Sequence, residues 1–104
     1  MGHNATLSCN SATPVNWKRQ LFISFTESER ICYEGTIVKG FENEFAINID
    51  HSKEPPAYNL TVINADMDDA GEYTCVENGG LGDSVSTNLT VHGKDSVILL
   101  CLFE

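Results

Sequence analysis

The chain has 104 residues, with 15 Asp and Glu against 6 Lys and Arg, and a formal net charge of -9. This length suits one domain, and a hydrophobic content of 41% is enough for a core and argues against a wholly disordered chain. The acidic balance argues against nucleic acid or an anionic membrane as a partner held by a basic patch.

In chain order, the apolar residues come in short alternating runs, and residues typical of turns separate them. Such runs predict an all-β sandwich or barrel, with helix limited to one turn near residues 65–70. The alternating runs lie at residues 5–9, 15–17, 45–49, 60–62, 73–75 and 85–91. The longest apolar run, 97–103, is too short for a bilayer-spanning helix, which needs about 20 residues. Any membrane attachment is therefore expected through a segment outside this chain.

Alternation also predicts which side chains face the interior. The inward set includes Cys9 in the first run and Cys75 in a later one, so both cysteines point at the core. Trp17 follows Cys9 by eight residues, where it can pack against a bridge between the two. The other inward residues of these runs are Ala5, Leu7, Leu60, Val62 and Tyr73.

The four cysteines do not form a metal-binding pattern. Cys9, Cys32, Cys75 and Cys101 include no CxxC pair, and the three histidines are scattered, so disulfides in an oxidising compartment are favoured over zinc. Three N-x-[ST] motifs, at Asn4, Asn59 and Asn88, also favour an extracellular domain. If glycosylated, each of these asparagines must face solvent.

One set of spaced residues resembles the signature of the immunoglobulin superfamily. The pattern is Cys9…Trp17…Asp69-x-Gly71-x-Tyr73-x-Cys75, and the resemblance runs from about residue 4 to residue 91. It implies a two-sheet sandwich with a Cys9–Cys75 disulfide, and a corner tyrosine, Tyr73, bonded to backbone near Asp69. The 65 residues between the cysteines favour the variable type. The core set that we predict is Trp17, Leu60, Val62, Tyr73 and Asp69.

Two departures from variable-type relatives stand out. These relatives place a basic residue before the phenylalanine of strand D, where it pairs with the aspartate at position 69. Here Glu44 precedes Phe45, so the pair is either absent or formed by Lys39 or another base. Asp83-Ser84 replaces the Phe-Gly-x-Gly bulge of antigen-receptor domains, which argues against pairing through that bulge.

The two ends also differ from a standard domain. Eight residues precede Cys9, so strand A is predicted to be missing or shortened. We predict a domain over residues 4–92 and a tail over 93–104 that adds a strand beside strand G or pairs with a second molecule. The alternatives are a disordered end or the stub of a membrane segment. With the tail beside G, a Cys32–Cys101 bond is not expected; free thiols or an intermolecular bridge remain open.

No catalytic, cofactor or metal site is predicted. The chain has no G-x-S-x-G motif and no phosphate-binding loop, and the acidic run 66–69 is interpreted as a solvated turn and not as a calcium loop. A binding role is favoured, because loops on a rigid sandwich commonly carry recognition.

The resemblance places the binding surface on the face of strands C, C′, F and G. With Trp17 pointing inward, its neighbours in sequence point outward, and large residues near C–C′ (Phe22, Ile23 and Phe25 among them) favour an interface. The predicted face is Lys18, Gln20, Tyr33, Thr74 and Val76, with the F–G loop residues Asn78, Gly80, Leu81 and Asp83 beside it. The expected partner is a protein, a second copy of this chain included. The alternatives are a secreted module binding glycans or microbial surfaces, and a spacer in a longer ectodomain.

Overall fold

The structure is a computed structural model that describes residues 3–23, 28–92 and 96–101, with side chains up to residue 90. The described residues form nine strands and two short 3-10 turns, and the two turns are Met67–Asp69 and Asn78–Gly80. Only the first of these turns was predicted. The strands are β1 (His3–Asn10), β2 (Asn16–Leu21), β3 (Glu29–Tyr33), β4 (Thr36–Ile37), β5 (Phe45–Asp50), β6 (Ala57–Ala65), β7 (Gly71–Val76), β8 (Ser84–His92) and β9 (Ser96–Cys101).

The strands form two antiparallel sheets. The three-stranded sheet has the order β1-β6-β5, and the six-stranded sheet has the order β4-β3-β2-β7-β8-β9. The predicted two-sheet sandwich is therefore confirmed, and β2, β3, β7 and β8 are the strands that the resemblance names C, C′, F and G. Among the described residues no strand precedes β1, which forms one edge of its sheet.

The predicted extra strand is present as β9. Its backbone pairs antiparallel with β8, from Ser96 opposite His92 to Cys101 opposite Thr87. Cα atoms of β9 also come within 8 Å of Cα atoms of β1, so β9 lies beside the edge of the other sheet. The division into a domain over 4–92 and a tail over 93–104 remains a prediction, and residues 93–95 and 102–104 lie outside the described part.

The core fills the space between the sheets with side chains from alternate strand positions. The predicted Cys9–Cys75 disulfide is confirmed, with an S–S distance of 2.07 Å and a Cα–Cα distance of 6.4 Å. Trp17 is 1% exposed and lies opposite Cys75 in the β2–β7 register, beside this bond. Each large apolar side chain buried here contributes about 1.5–3 kcal/mol. The largest include Trp17, Tyr73, Phe45, Leu7, Leu60 and Val62.

A close approach of two backbones explains the glycine of the Asp69-x-Gly71-x-Tyr73 pattern. A Cβ atom at Gly71 would lie 2.5 Å from the Gln20 carbonyl oxygen and 2.8 Å from the Leu21 Cα. Only glycine therefore lets the start of β7 pack against the end of β2. Two residues later the Tyr73 hydroxyl donates to the Asp69 carbonyl at 2.7 Å, which is the corner bond that the resemblance implied.

The acidic run before β7 closes the first 3-10 turn. The Asp66 carboxylate accepts from the Asp68 N–H at 2.9 Å, and the Asp69 carboxylate accepts from the Asp66 N–H at 3.0 Å. This reciprocal capping satisfies backbone donors at the turn. Within the described ranges no three His, Cys, Asp or Glu side chains are grouped to hold a metal ion. The same residues contain no helix of the length and apolarity that a membrane span requires.

Candidate recognition face

The outer surface of β2, β3, β7 and β8, which we call the recognition face, carries all five predicted face residues. Lys18 lies opposite Thr74 on β7, and on its other side it lies opposite Arg30 on β3. Side chains at such paired positions point to the same side of a sheet. The face is therefore continuous across the middle of the six-stranded sheet, from Tyr33 to Ser86.

A register shift in β3 decides which of its side chains reach this face. Trp17 pairs with Cys32, but the next residue of β2, Lys18, pairs with Arg30, so Ile31 is an extra residue. The shift has the form of a β-bulge. Because Cys32 points inward with Trp17, Tyr33 points outward, and it is 45% exposed.

The chemistry of the face is cationic and polar around one aromatic ring. The Arg30 guanidinium carbon lies 5.1 Å from the centroid of the Tyr33 ring, a stacking geometry that orients both side chains. The Thr74 and Ser86 hydroxyl oxygens lie 2.9 Å apart. Among the residues that the structure describes, no carboxylate lies within ion-pair distance of Lys18 or of Arg30.

Two exposed apolar residues of the C–C′ region, Phe22 and Ile23, lie beyond the strand residues of this face. Phe22 and Ile23 follow β2 and are 54% and 60% exposed. The Phe22 N–H donates to the Ala70 carbonyl at 3.0 Å, which places this pair at the end of the sandwich beside the first 3-10 turn. Phe22 and Ile23 therefore lie beyond the end of β2 at Leu21, and an interface that includes them stays a prediction. Phe25 lies outside the described residues.

Two adjoining open depressions, of about 240 Å³ and 390 Å³, lie on the face and share Lys18 and Ser28. Their walls are mostly polar. Small-molecule sites are typically enclosed and apolar, whereas these depressions are open parts of a sheet surface. This shape suits contact with another macromolecular surface.

The predicted F–G loop is short and fixed to its neighbours. The Asn78 N–H donates to the Thr13 hydroxyl at 2.8 Å, and the Gly79 N–H donates to the Pro14 carbonyl at 3.0 Å. Asn78 adopts a left-handed backbone with φ of 54°, and Gly79 follows with φ of 61°, which turns the chain into the second 3-10 turn that the sequence did not reveal. Leu81, at 87% exposure, projects from this loop.

The remaining contacts of the loop join its two ends and hold it close to Asn16 of β2. The Glu77 N–H donates to the Asp83 carbonyl at 2.9 Å, which brings the two ends of the loop together. Gly80 has φ of +100°, and a Cβ atom there would lie 2.8 Å from the Asn16 side-chain nitrogen. The loop therefore presents one apolar side chain on a framework with little room to rearrange.

Asn16 joins two loops through its side chain, and no motif in the sequence pointed to it. Its side-chain oxygen accepts from the Glu34 N–H at 2.8 Å, and its side-chain nitrogen donates to the Gly79 carbonyl at 3.2 Å. The B–C loop joins the same assembly, since the Gly35 N–H donates to the Val15 carbonyl at 2.9 Å. Asn16 is 6% exposed, and no local pattern marks it, because the groups that cover it come from distant parts of the chain.

Arg19 is the base that pairs with Asp69 where the residue before Phe45 is not basic. Its guanidinium is buried, with Nε 2.7 Å from Glu29 Oε1, NH1 3.4 Å from Asp69 Oδ1 and NH2 3.9 Å from Glu44 Oε1. Lys39 therefore does not take this place. The guanidinium carbon also lies 5.0 Å from the centroid of the Phe45 ring. Burial alone would lower the pKa of Arg19, but hydrogen bonds to Glu29 and Tyr73 raise it overall.

The pKa values of two neighbours of Arg19, Asp69 and Tyr73, are also shifted. Burial raises the pKa of Asp69, against the opposing effects of backbone hydrogen bonding and of Arg19. Burial likewise raises the pKa of Tyr73 to about 12. Placing Asp69 in the core was wrong: its side chain is 20% exposed, because its carboxylate caps the turn and faces the guanidinium at the edge of the sandwich.

The three glycosylation motifs divide between the two sheets. Asn4 lies on β1, where its side-chain oxygen accepts from the Asn64 N–H at 3.0 Å. Asn59 lies on β6, and its side-chain oxygen accepts from the Ser8 hydroxyl at 2.6 Å. Both belong to the outer face of the three-stranded sheet. Asn88 lies on β8, on the recognition face, opposite Glu72.

Cys32 is a free thiol buried completely beside Trp17. Burial raises its pKa, against weaker backbone hydrogen bonds that lower it. The strands β2, β7 and β8 separate the backbone of β3 from that of β9. This amounts to about 19 Å at the usual strand spacing, well beyond the reach of a bond between residues 32 and 101.

A comparison with protein families adds to this geometry. The family model for the immunoglobulin domain matches residues 1–87. A comparison with curated proteins finds no match to the chain. Immunoglobulin domains are protein-interaction or recognition modules and are generally not enzymes, and the Cys9–Cys75 disulfide indicates an extracellular or secreted location. With most of its length matched, the chain belongs to the immunoglobulin domain family.

Proposed function

We propose that this chain is a variable-type recognition domain of a cell-surface receptor or adhesion molecule and that it binds a protein through the recognition face. The observation that carries the proposal is the Arg30–Tyr33 stack beside Lys18. Arginine and tyrosine are enriched among the residues that dominate binding energy at protein interfaces. A stacked pair loses less side-chain freedom on binding, which favours affinity.

The other sheet offers a useful contrast. On its outer face the Thr6 and Thr61 hydroxyls lie 3.4 Å apart, and Ser8 donates to Asn59. These four side chains are uncharged and none is aromatic, whereas the recognition face carries Lys18 and the Arg30–Tyr33 stack. This supports assigning the binding role to the six-stranded sheet.

The strands between β2 and β5 support the variable subtype. In the larger, variable type of this fold, additional strands follow strand C and extend the sheet that contains it. Here β3 and β4 occupy this place, in the order β4-β3-β2. The proposal therefore keeps the subtype that the cysteine spacing favoured.

A second copy of this chain is one partner to test. Lys18 and Arg30 lie in one row across the face, and Glu72 lies in the next row, opposite Gln20. A two-fold axis near the middle of the face brings the cations of one copy toward Glu72 of the other. Such isologous contacts are the commonest way in which soluble proteins pair.

Glycan recognition has less support. A groove of exposed aromatic rings would favour that alternative. On the described part of the recognition face Tyr33 is the one exposed aromatic side chain, and it is stacked by Arg30. A protein surface therefore fits the face better than a carbohydrate does.

The test uses a form without glycans, in which Asn4, Asn59 and Asn88 are all replaced by Gln. Self-association is measured by sedimentation in salt that screens the net charge, and a tetrameric form is used to stain cells. Gln20→Arg on the recognition face is expected to abolish binding in whichever assay shows it. Ala46→Arg, which adds the same side chain to an exposed position on the other sheet, is expected to leave it unchanged.

The proposal fails in either of two ways. One is the absence of both self-association and cell binding in the glycan-free form. The other is an equal loss of binding in the Gln20→Arg and Ala46→Arg variants, which would show that binding does not depend on the recognition face.

A further inference from the structure

One glycosylation motif lies on the recognition face itself. The β2–β7–β8 register places Gln20, Glu72 and Asn88 in a single row across the sheet. Paired residues in such a row project to the same side. The Cα atoms of Asn88 and Gln20 are therefore about 10 Å apart, two strand spacings.

The surroundings of Asn88 show how much of the face it reaches. Ser86, two residues before it on the same strand, lies opposite Thr74, and Thr74 lies opposite Lys18. Asn88 is partly exposed, and its place on β8 directs it away from the core residue Leu89. An oligosaccharide is bulky and solvated, so one attached here extends over these neighbours.

We propose that Asn88 carries an N-linked oligosaccharide in one form of the protein, and that this oligosaccharide covers the recognition face. Glycosylated protein is then closed to partners on this face, and protein unmodified at Asn88 is open. The effect on partners rests on the proposed function. The covering of the face does not, because it depends on the position of Asn88 alone.

The modification requires a lipid-diphosphate-linked oligosaccharide as donor. The Asn88 side-chain nitrogen forms a bond to the anomeric carbon of the first sugar while the bond from this carbon to the lipid diphosphate breaks. The lipid diphosphate leaves with the electron pair, and the amide nitrogen gives up one proton. Thr90 completes the required motif, two residues after Asn88.

The motifs at Asn4 and Asn59 supply a matched control, because both lie on the other sheet. Two proteins are made in a glycosylating host. One, with Asn4→Gln and Asn59→Gln, retains only Asn88; the other, Asn88→Gln, retains only Asn4 and Asn59. Mass spectrometry first establishes the occupancy of each asparagine.

The readout needs no binding partner. Each protein is treated with a bulky amine-reactive polyethylene glycol ester, before and after removal of its glycans by an endoglycosidase under native conditions. Modification of Lys18, on the recognition face, is compared with that of Lys53, an exposed lysine between β5 and β6. Comparing a protein with its own deglycosylated form keeps any effect of the substitutions constant.

Removing the glycan is expected to raise the modification rate of Lys18 several-fold in the protein with Asn88 alone. In the Asn88→Gln protein, removal of the glycans should leave the modification rate of Lys18 unchanged. The modification rate of Lys53 should not change in either protein. An unoccupied Asn88, or a rate at Lys18 that does not respond to its glycan, overturns the inference. Failure of the glycan-free form to bind a partner would instead overturn the proposed function, so the two results are separate.

Discussion

The two ends of β2 are held in place by different kinds of interaction. At the end near the first 3-10 turn, Arg19 joins three carboxylates, of which Glu29 is the nearest. At the other end, Asn16 joins backbone groups of Glu34 and Gly79 through a neutral amide. Both residues are 6% exposed, so burial does not distinguish them.

The difference lies in what each end would lose. Without Arg19, the carboxylates that face it lose their counter-charge, and uncompensated charge near the core lowers the stability of the whole fold. Without Asn16, two backbone groups in loops lose a partner, and the loops can move while the sheets stay paired. We therefore expect the charged end to contribute mainly to stability, and the neutral end mainly to the shape of the loops that it joins.

The strongest test of this comparison is Arg19→Met, which keeps an apolar stem and removes the charge. We expect it to lower the free energy of unfolding by about 3 kcal/mol, the low end for a broken buried ion pair, because Glu29 and Glu44 are about half exposed to water. Denaturant unfolding followed by Trp17 fluorescence measures this. Arg30→Met, which removes an exposed cation from the Tyr33 ring, is the control and should cost about 0.5 kcal/mol. Equal losses would contradict the assignment of stability to the charged end.

High pH weakens the same end. The pKa of Tyr73 is about 12 in the folded protein and about 10 in the unfolded chain, so the folded protein keeps this proton longer. The resulting stability is fully present below pH 10 and is lost as the pH rises from 10 to 12, by about 2–3 kcal/mol in total. Unfolding curves across this range, with tyrosinate absorbance as a second signal, measure the loss.

Tyr73→Phe provides the control for the alkaline loss. It removes the bond to the Asp69 carbonyl, which is expected to cost about 1 kcal/mol at neutral pH. It also removes the ionisation, so its stability should fall less steeply above pH 10 than that of the unsubstituted protein. If the free energy of unfolding falls equally with pH in both proteins above pH 10, Tyr73 is not the titrating group.

The neutral end is tested by Asn16→Ala. It leaves the Glu34 N–H and the Gly79 carbonyl without this partner, and we expect a loss of about 2 kcal/mol, much of it local. Hydrogen exchange should show reduced protection at Glu34 while the β7 amides change little. Asn16→Asp is the matched variant: it keeps an acceptor for Glu34 but has no donor for Gly79, so protection at Glu34 should persist. Loss of protection throughout β7 would show that this end also holds the whole fold.

Residues tied to local spacing could be predicted from the sequence. Cys9, Trp17, Tyr73 and Cys75 follow from alternation along strands and from the resemblance, because a strand places every second side chain inward wherever it runs. Gly71 belongs with these residues, because the neighbouring strand β2 leaves no space for a Cβ atom at this position.

Residues whose partners come from distant segments could not be predicted in the same way. Arg19 carried a signal, because alternation from Trp17 puts a charged residue at an inward position, but the sequence did not say which carboxylates meet it. The resemblance placed Tyr33 on the recognition face, but neither strand alone indicates the register shift at Ile31 that accompanies this placement. Asn16 is buried by loops whose approach depends on the completed fold.

The smallest expected effect is the coupling energy between substitutions at Asn16 and Arg19, which shows whether the two ends of β2 act independently. Asn16 and Arg19 are three residues apart on β2, about 10 Å, and share no hydrogen-bond partner among the bonds described above. The losses in Arg19→Met and Asn16→Ala should therefore add in the double variant to within about 0.5 kcal/mol. A larger coupling energy would mean that β2 transmits strain between its ends. The charged cluster would then help to set the loop geometry, and the contrast between an end that stabilises the fold and an end that shapes the loops would no longer hold.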